Sequence, residues 1–435
     1  MAIIGTDPGS LDGMTDAASP GLGSWQRNMY ALTAASFLMF TAFGFVFPFL
    51  PLFIAELNVG DLHQVELWAG ITSFAQALVL AFCSPIWGAI ADRRGRRLMV
   101  LRAAFAGGII IGLLGLSQNI WQFMGLRIIQ GTLTGVVAAT TALASTFVPK
   151  QRIGFALGLL QMALFGGNAI GPLMGGFSAD RLGYRWSFAV SAALMLSAGV
   201  ITLLFVREQF VPPPPGQGSR GLAGLWQDIR ERGRDKQLII MMVVLFSVQY
   251  GINVVLPILP LFVENLDASE SPATATGLIY TVAGLVAAAS SVVMGRIGDR
   301  VGYRRMLIAM AFGAGLLYIP QAFVRGVAQL VALRGLLGIF DGGLLPSANA
   351  LIASSSDDKN SRSSHGTTYG LVYLANGFGF AFGPLSGGII SATLGLRSVF
   401  ILTAAILLAV AVYLPFGVKA PARKGLATVS AAPVS

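Results

Sequence analysis

Three charged residues stand inside long apolar runs of this 435-residue chain: Arg127, Arg334 and Asp341. A charge in such a run costs a few kcal/mol to insert and usually serves a function. Asp341 is the one acid predicted near mid-depth. A carboxyl held away from water favours its neutral form, so it can bind and release a proton as its surroundings open and close. Arg127 lies about 9 Å inside its run, counted from residue 121 at 1.5 Å per residue. Asp341 follows Arg334 by seven residues, on the same helix face and roughly 10 Å further in. A water or another helix would have to bridge the two. For Arg334 a structural pairing or a solvated lining is an equal alternative. Other chemistries lack their residues. The single cysteine, Cys83, lies in an apolar run, and His63 and His365 lie in polar stretches. Neither a disulfide framework nor a metal centre is expected. No Ser-His-Asp grouping, HExxH sequence or GxxxxGK[ST] phosphate loop occurs, so a membrane enzyme and an ATP-driven pump are disfavoured, and no cofactor is expected.

The runs that hold these charges read as membrane spans. Hydrophobic residues make up 55% of the chain and charged residues 11%, with a mean hydropathy of +0.73, whereas soluble domains carry roughly 25% charged residues. A spanning helix needs about 20 mostly apolar residues. Twelve segments qualify: 29–54, 67–90, 98–116, 121–146, 153–178, 186–206, 237–262, 273–297, 306–323, 328–353, 366–390 and 397–416. The stretch 207–236 opens on Pro212 to Pro215 and is rich in charge, so it reads as a cytoplasmic linker. Residues 1–28 and 417–435 read as tails. The net charge of +10 needs no nucleic acid, because the basic residues of membrane proteins gather in cytoplasmic loops. With the N-terminus placed inside, the outside loops hold only Arg181, Arg185, Arg325 and Arg397 of the 29 Lys and Arg. Both termini are therefore expected in the cytoplasm.

The chain also repeats itself. Pro48–Leu57 returns as Pro257–Leu266, and Gly88-Ala-Ile-Ala-Asp-Arg-Arg-Gly-Arg-Arg97 as Gly295-Arg-Ile-Gly-Asp-Arg-Val-Gly-Tyr-Arg304. Arg127–Gly131 matches Arg334–Gly338, Gly171–Gly176 matches Gly383–Gly388, and Leu182–Phe188 matches Leu394–Phe400. The matches run in order at offsets of 207–212 residues. The expected fold is all-α and integral to the membrane: twelve transmembrane helices in two pseudo-symmetric six-helix bundles, 29–206 and 237–416. Such parallel repeats enclose a site at their interface near the bilayer midplane.

These residues resemble the major facilitator superfamily over nearly the whole chain, and more narrowly its twelve-helix drug/proton antiporters of bacteria. The loop Gly88–Arg97 resembles the superfamily signature between the second and third spans. Arg127, Gln130, Gly131 and Gly135 resemble the signature of the fourth span. Gly167, Gly171, Pro172, Gly175 and Gly176 resemble the fifth-span signature of antiporters, and Gly44, Pro48 and Pro51 the first-span pattern of the twelve-helix branch. The resemblance implies a multi-pass protein of the bacterial inner membrane, expected as a monomer, whose partners are the bilayer, a small-molecule substrate and protons. It also implies a gate at the cytoplasmic face: Gly88, Asp92, Arg93, Gly95, Arg96 and Arg97, with Asp299 repeating Asp92 in the second half. Asp92 would hold that face shut by pairing with a basic group or a helix N-terminus. The arginines alone fit a plain positive-inside anchor, and the glycines allow a sharp turn and close helix approach.

Proton coupling is assigned to Arg127, Asp341 and Arg334. The candidate substrate cavity takes Asn168, Gln249, Asn253, Tyr369, Tyr373 and Asn376, polar or aromatic residues within spans, which could equally satisfy helix–helix hydrogen bonds. Few polar clusters lie in the spans, which favours export of amphipathic compounds. Uptake of a polar nutrient on the same fold would require more hydrogen-bonding side chains.

Overall fold

The computed structural model describes residues 22–149, 152–208, 210, 236–266, 271–355 and 365–417. Most of the predicted linker and both predicted tails lie largely outside them. All regular structure among the described residues is helical. In chain order the first half contains α1 (Leu22–Val46), α2 (Leu50–Glu56), α3 (Leu62–Arg94), α4 (Arg96–Gly115), α5 (Ile120–Leu133), α6 (Val136–Phe147), α7 (Ile153–Leu182) and α8 (Tyr184–Phe205). The second half contains α9 (Lys236–Val254), α10 (Leu259–Leu266), α11 (Pro272–Val301), α12 (Tyr303–Gln321), α13 (Val327–Ser355), α14 (His365–Leu394) and α15 (Leu396–Gly417).

Among the described residues, eleven helical stretches are long and apolar enough to cross a membrane. The remaining predicted span is α12, 19 residues that begin Tyr-Arg-Arg. Those charges lower its hydropathy, yet it packs between α13 and α15 and buries Met306, Leu307, Met310, Ala311, Ala314 and Tyr318. Three predicted spans are each two helices. Prolines at the repeated positions break α1 from α2 and α9 from α10, since proline removes a backbone donor. The fourth span breaks at Thr134–Gly135, where Gly135 has φ +131°. Two predicted starts move by five residues or more. The first helix begins at Leu22 rather than 29, and Asn28 exchanges hydrogen bonds with the Arg207 backbone at 2.9 and 3.3 Å. The second begins at Leu62 rather than 67, capped by Asp61, whose carboxylate accepts from the Gln64 N–H at 3.1 Å.

Each half has its own apolar core, and the pseudo-symmetry is visible atom by atom. A methyl placed on Gly167 or Gly171 of α7 would meet the Phe37 or Thr41 carbonyl of α1 at 2.9 and 2.6 Å. At the repeat-equivalent Gly379 and Gly383 of α14, it would meet the Phe246 and Tyr250 carbonyls of α9 at 2.6 and 3.0 Å. Small residues thus let backbones touch in lipid, where dispersion and polar contacts rather than the hydrophobic effect hold helices together. Trp121 and Trp186 remain exposed at one end of the bundle, as expected of an aromatic belt at a membrane surface.

Candidate functional site

The two halves meet along two related seams. In one, α7 lies against α11. A Cβ on Gly176 would overlap the Ala273 carbonyl, and one on Gly277 would overlap the Pro172 carbonyl. In the other, α3 lies against α14. A Cβ on Gly70 would sit 2.6 Å from the Pro384 carbonyl, and one on Gly388 2.6 Å from the Glu66 carbonyl. These four glycines and their partners exchange places under the internal repeat, so each seam is the pseudo-two-fold image of the other. A third apolar cluster, joining Phe45, Phe53 and Phe188 to Leu261 and Ala273, seals the end where the seams are tightest.

Away from that end the seams part. The α7–α11 contact runs down to Thr281, whose hydroxyl donates to the Ala169 carbonyl at 2.6 Å, and to Gly284, whose Cβ would lie 3.8 Å from Ala169. Below it, Gly154, Gly158 and Gly295 have open space around them. The α3–α14 seam continues through the Phe74–Phe382 ring pair to Gly377, 3.8 Å from the Ala81 methyl, and Gly88 beyond it meets nothing within 4 Å. The protein is therefore closed at one end and open towards the arginine-rich end. The tight approach expected at Gly88 is absent from this conformation for that reason. Asn168 lies one turn from Pro172 on the same face of α7 and is exposed.

Of the three charges within the spans, Asp341 is partly exposed, but its Oδ1 is buried and has no hydrogen-bond partner. The neighbouring Gly342 is pressed against Ser290 and Ala287 of α11. Arg334 is 7% exposed, and its guanidinium stacks 5.4 Å from the Tyr318 ring centre and 5.9 Å from that of Phe400. Aromatic faces attract such a cation. Its Nε and Nη2 lack partners, and no ion pair joins it to Asp341 among the described residues, in line with the spacing argument. Arg127 is 8% exposed and donates to Gln130 Oε1 at 2.6 Å, with Nε unpartnered.

At the arginine-rich end, α3 gives way to α4 at Gly95, with φ +96°, and α11 to α12 at Gly302, with φ +97°. The repeated loop is thus the same left-handed turn twice, a conformation glycine adopts without strain. Arg96 donates through Nη1 to the Ala142 carbonyl and Ser145 Oγ of α6, both at 3.0 Å, and Arg97 through Nη2 to the Leu203 carbonyl at 2.6 Å. Both brace the loop within the first half, while Arg93 is exposed. The Asp92 side chain lies outside the described residues. Asp299 accepts a hydrogen bond from Tyr303, and no helix cap by it is present among the described residues. The cap on α4 comes from elsewhere: Glu208 accepts from the Arg96 and Arg97 N–H groups at 3.0 and 2.7 Å.

The match to known proteins follows this architecture. The profile described as Major Facilitator Superfamily matches residues 32–276 and 241–434. The chain belongs to the Major Facilitator Superfamily. It is therefore a multi-pass membrane transporter rather than an enzyme. Multidrug resistance protein MdtG of Serratia proteamaculans (strain 568) is 37% identical over 398 residues, 91% of this chain and 95% of that protein. The protein of the same name from Yersinia enterocolitica is 36% identical, over 91% of this chain and 94% of its own length. Two solved structures share the fold. A bacterial homologue of the human lysosomal transporter Spinster, inward-facing and occupied, gives a TM-score of 0.72 at 15% identity, covering 92% of this chain and 97% of that one. The nucleoside transporter NupG gives 0.70 at 14% identity, covering 89% and 98%.

Within this superfamily fold the fifth-span glycines divide by helix face. Gly167, Gly171 and Gly175 hold α1 within one half and Gly176 meets α11 of the other, while Pro172 touches both, its ring at Gly44 of α1 and its carbonyl at Gly277 of α11. Gln249 and Asn253 are buried against Gly379 and Gly383 of α14, with Asn253 Nδ2 donating to the Gln249 carbonyl at 2.7 Å. Their Cβ atoms pack within the second half. Asn376 Oδ1 is buried without a partner. The side chains of Tyr369 and Tyr373 lie outside the described residues.

Three features have no counterpart in the sequence reading. Asp180, at the end of α7, accepts from the Ala273 and Thr274 N–H groups at 3.3 and 2.7 Å and from Thr274 Oγ1 at 2.6 Å, capping α11 across the seam. Arg102 stacks 3.7 Å from the Trp87 ring and donates to the Thr134 carbonyl at 3.3 Å, while Trp87 Nε1 donates to the Thr132 carbonyl at 2.6 Å. Together they take up carbonyls freed by the break before Gly135. Glu66, the third, is 1% exposed. The Asp61-x-x-Gln64 capping pattern would have started α3 early enough to include it.

Proposed function

We propose that the chain is a proton-driven exporter of drugs or other amphipathic small molecules, working by alternating access across the bacterial inner membrane as a monomer. The arginine-rich end and both termini face the cytoplasm on this reading, so the conformation described is inward-facing. The observation that carries the coupling is Asp341. An acid in a membrane-crossing helix with a buried, unpartnered carboxyl oxygen is costly to keep charged, and it gains water whenever the halves rearrange. It binds a proton in one facing state and yields it in the other, with Arg334 the neighbouring positive charge that favours release. The MdtG relatives carry multidrug resistance in their name, which supports drugs as the cargo. Uptake of a polar nutrient is disfavoured, because few polar clusters lie in the spans.

The test is drug-dependent proton release from proteoliposomes under an imposed pH gradient. Asp341→Asn, fixed in the neutral form, abolishes uphill efflux and retains downhill exchange. Wild-type uphill transport in that variant would remove Asp341 from the mechanism. Arg127→Ala also impairs coupling in the same assay. Asp92→Asn cuts transport while leaving insertion intact, since the surrounding arginines still satisfy the topology rule; unchanged transport would favour the anchor role.

A further inference from the structure

The two seams differ in how they treat an acid. By the repeat that relates Gly88 to Gly295, Glu66 of α3 corresponds to Ala273 of α11. Both positions meet a glycine of the partner helix backbone to backbone, Gly388 for Glu66 and Gly176 for Ala273. In the α7–α11 seam the acid is Asp180. The start of α11 offers it two free N–H groups and the Thr274 hydroxyl, so its charge is fully met in the closed form. In the α3–α14 seam the acid is Glu66, and it has no such support. It lies in the second turn of α3, past the free N–H groups of the helix start, and residues 388–391 lie inside α14, where every N–H is already used. Its Oε2 is buried with no hydrogen-bond partner. Ser391 faces it from α14, and its buried hydroxyl is the one hydrogen-bonding side chain within reach of the Glu66 carboxyl, against the two N–H groups and hydroxyl that Asp180 has.

The charged groups around it do not compensate. His63 and Asp61 lie on the same helix start. Glu56 on α2 and Arg127 on α5 are the charges carried by the neighbouring elements at that end, and the Arg127 guanidinium is engaged with Gln130. Residues 374–394 of α14 contain no titratable side chain. A buried carboxylate left without partners is strongly disfavoured, whereas a neutral carboxyl can pack there and donate its proton to the hydroxyl across the seam.

We propose that Glu66 is a proton-operated latch of the end remote from the arginine loops: α3 closes on α14 only when Glu66 carries a proton taken from the water on that side. Opening exposes the carboxyl, which then ionises and holds the seam apart. The closed form binds the proton and the open form releases it, so raising the pH on that side drives opening. The latch is separate from Asp341, which lies in a different span, and it controls when the transporter can return to the inward-facing state. It rests on the alternating-access reading above.

The experiment uses the full chain in nanodiscs, with Cys83→Ser and spin labels on Leu62→Cys of α3 and Leu394→Cys of α14, which are 41% and 74% exposed at the closed end. Interspin distances are measured from pH 5 to pH 9, and drug-dependent proton release is measured in parallel. The ratio of open to closed form is expected to rise about tenfold per pH unit above the midpoint, the slope of one linked proton. Glu66→Gln stays closed across the range, and Glu66→Asp keeps a slope. A Glu66→Gln variant that opens with the wild-type slope would overturn the proposal. So would wild-type distances that do not change between pH 5 and pH 9, a result that needs no variant to fold. The distances do not depend on substrate. A pH-operated latch without proton-coupled drug transport would overturn only the exporter reading, and coupled transport with a pH-independent Glu66 seam only the latch.

Discussion

Gly70 and Gly171 pose the same local problem with opposite expected consequences. A Cβ on either would lie 2.6 Å from a backbone carbonyl, that of Pro384 for Gly70 and that of Thr41 for Gly171. Ordinary contact begins at 3.4 Å, so the helices must part by about 0.8 Å at that point. Neither carbonyl can swing aside, because each belongs to a helix backbone. Overpacking of this kind costs about 1–3 kcal/mol. For Gly171→Ala the strain lies within one half, between α7 and α1. It is present in every facing state and subtracts from the stability of the fold. For Gly70→Ala the strain lies between halves and exists only while α3 and α14 are closed. It therefore biases the conformational equilibrium towards the open seam by about 5- to 150-fold. Spin labels at Leu62→Cys and Leu394→Cys read this bias directly, and thermal unfolding in detergent reads the stability. Gly70→Ala is expected to lengthen the distance with little change in melting temperature, and Gly171→Ala to lower the melting temperature with the distance unchanged. A Gly70→Ala protein as closed as wild type, or a Gly171→Ala protein shifted open, would refute the assignment of these glycines to different interfaces.

Two further outcomes follow from the helix caps. Asp180→Asn replaces a charged acceptor at the α11 start by a neutral one, and charged hydrogen bonds are about twice as strong. The same distance measurement should show the open form favoured by about 5- to 30-fold, with insertion unaffected; no shift would mean that Asp180 does not hold the seam. Glu208→Gln weakens the cap on α4 inside one half at a cost of about 1 kcal/mol. It should lower thermal stability and leave the distances in place, and a shift in the distances would instead make Glu208 part of the gate.

The membrane setting, the helical class and the internal repeat were legible in the chain because each is a one-dimensional property. Hydropathy over about 20 residues marks a span, and recurring Gly-Asp-Arg and Gly-Pro strings mark the two halves without reference to space. The left-handed turns at Gly95 and Gly302 follow from local sequence as well. Tertiary structure decided which face each residue occupies. Gly175 and Gly176 are adjacent in the chain, yet a helix turns about 100° per residue, so one packs on α1 and the other on α11. Gln249 and Asn253 read as cavity residues, and the fold sets their Cβ atoms against Gly379 and Gly383 of α14. The caps by Asp180 and Glu208 join residues 93 to 112 positions apart, a separation that no periodicity encodes. Glu66 fell just before an apolar run, where hydropathy assigns a loop. Only the meeting of α3 with α14 shows it to be a buried acid that faces a lone serine hydroxyl across the seam.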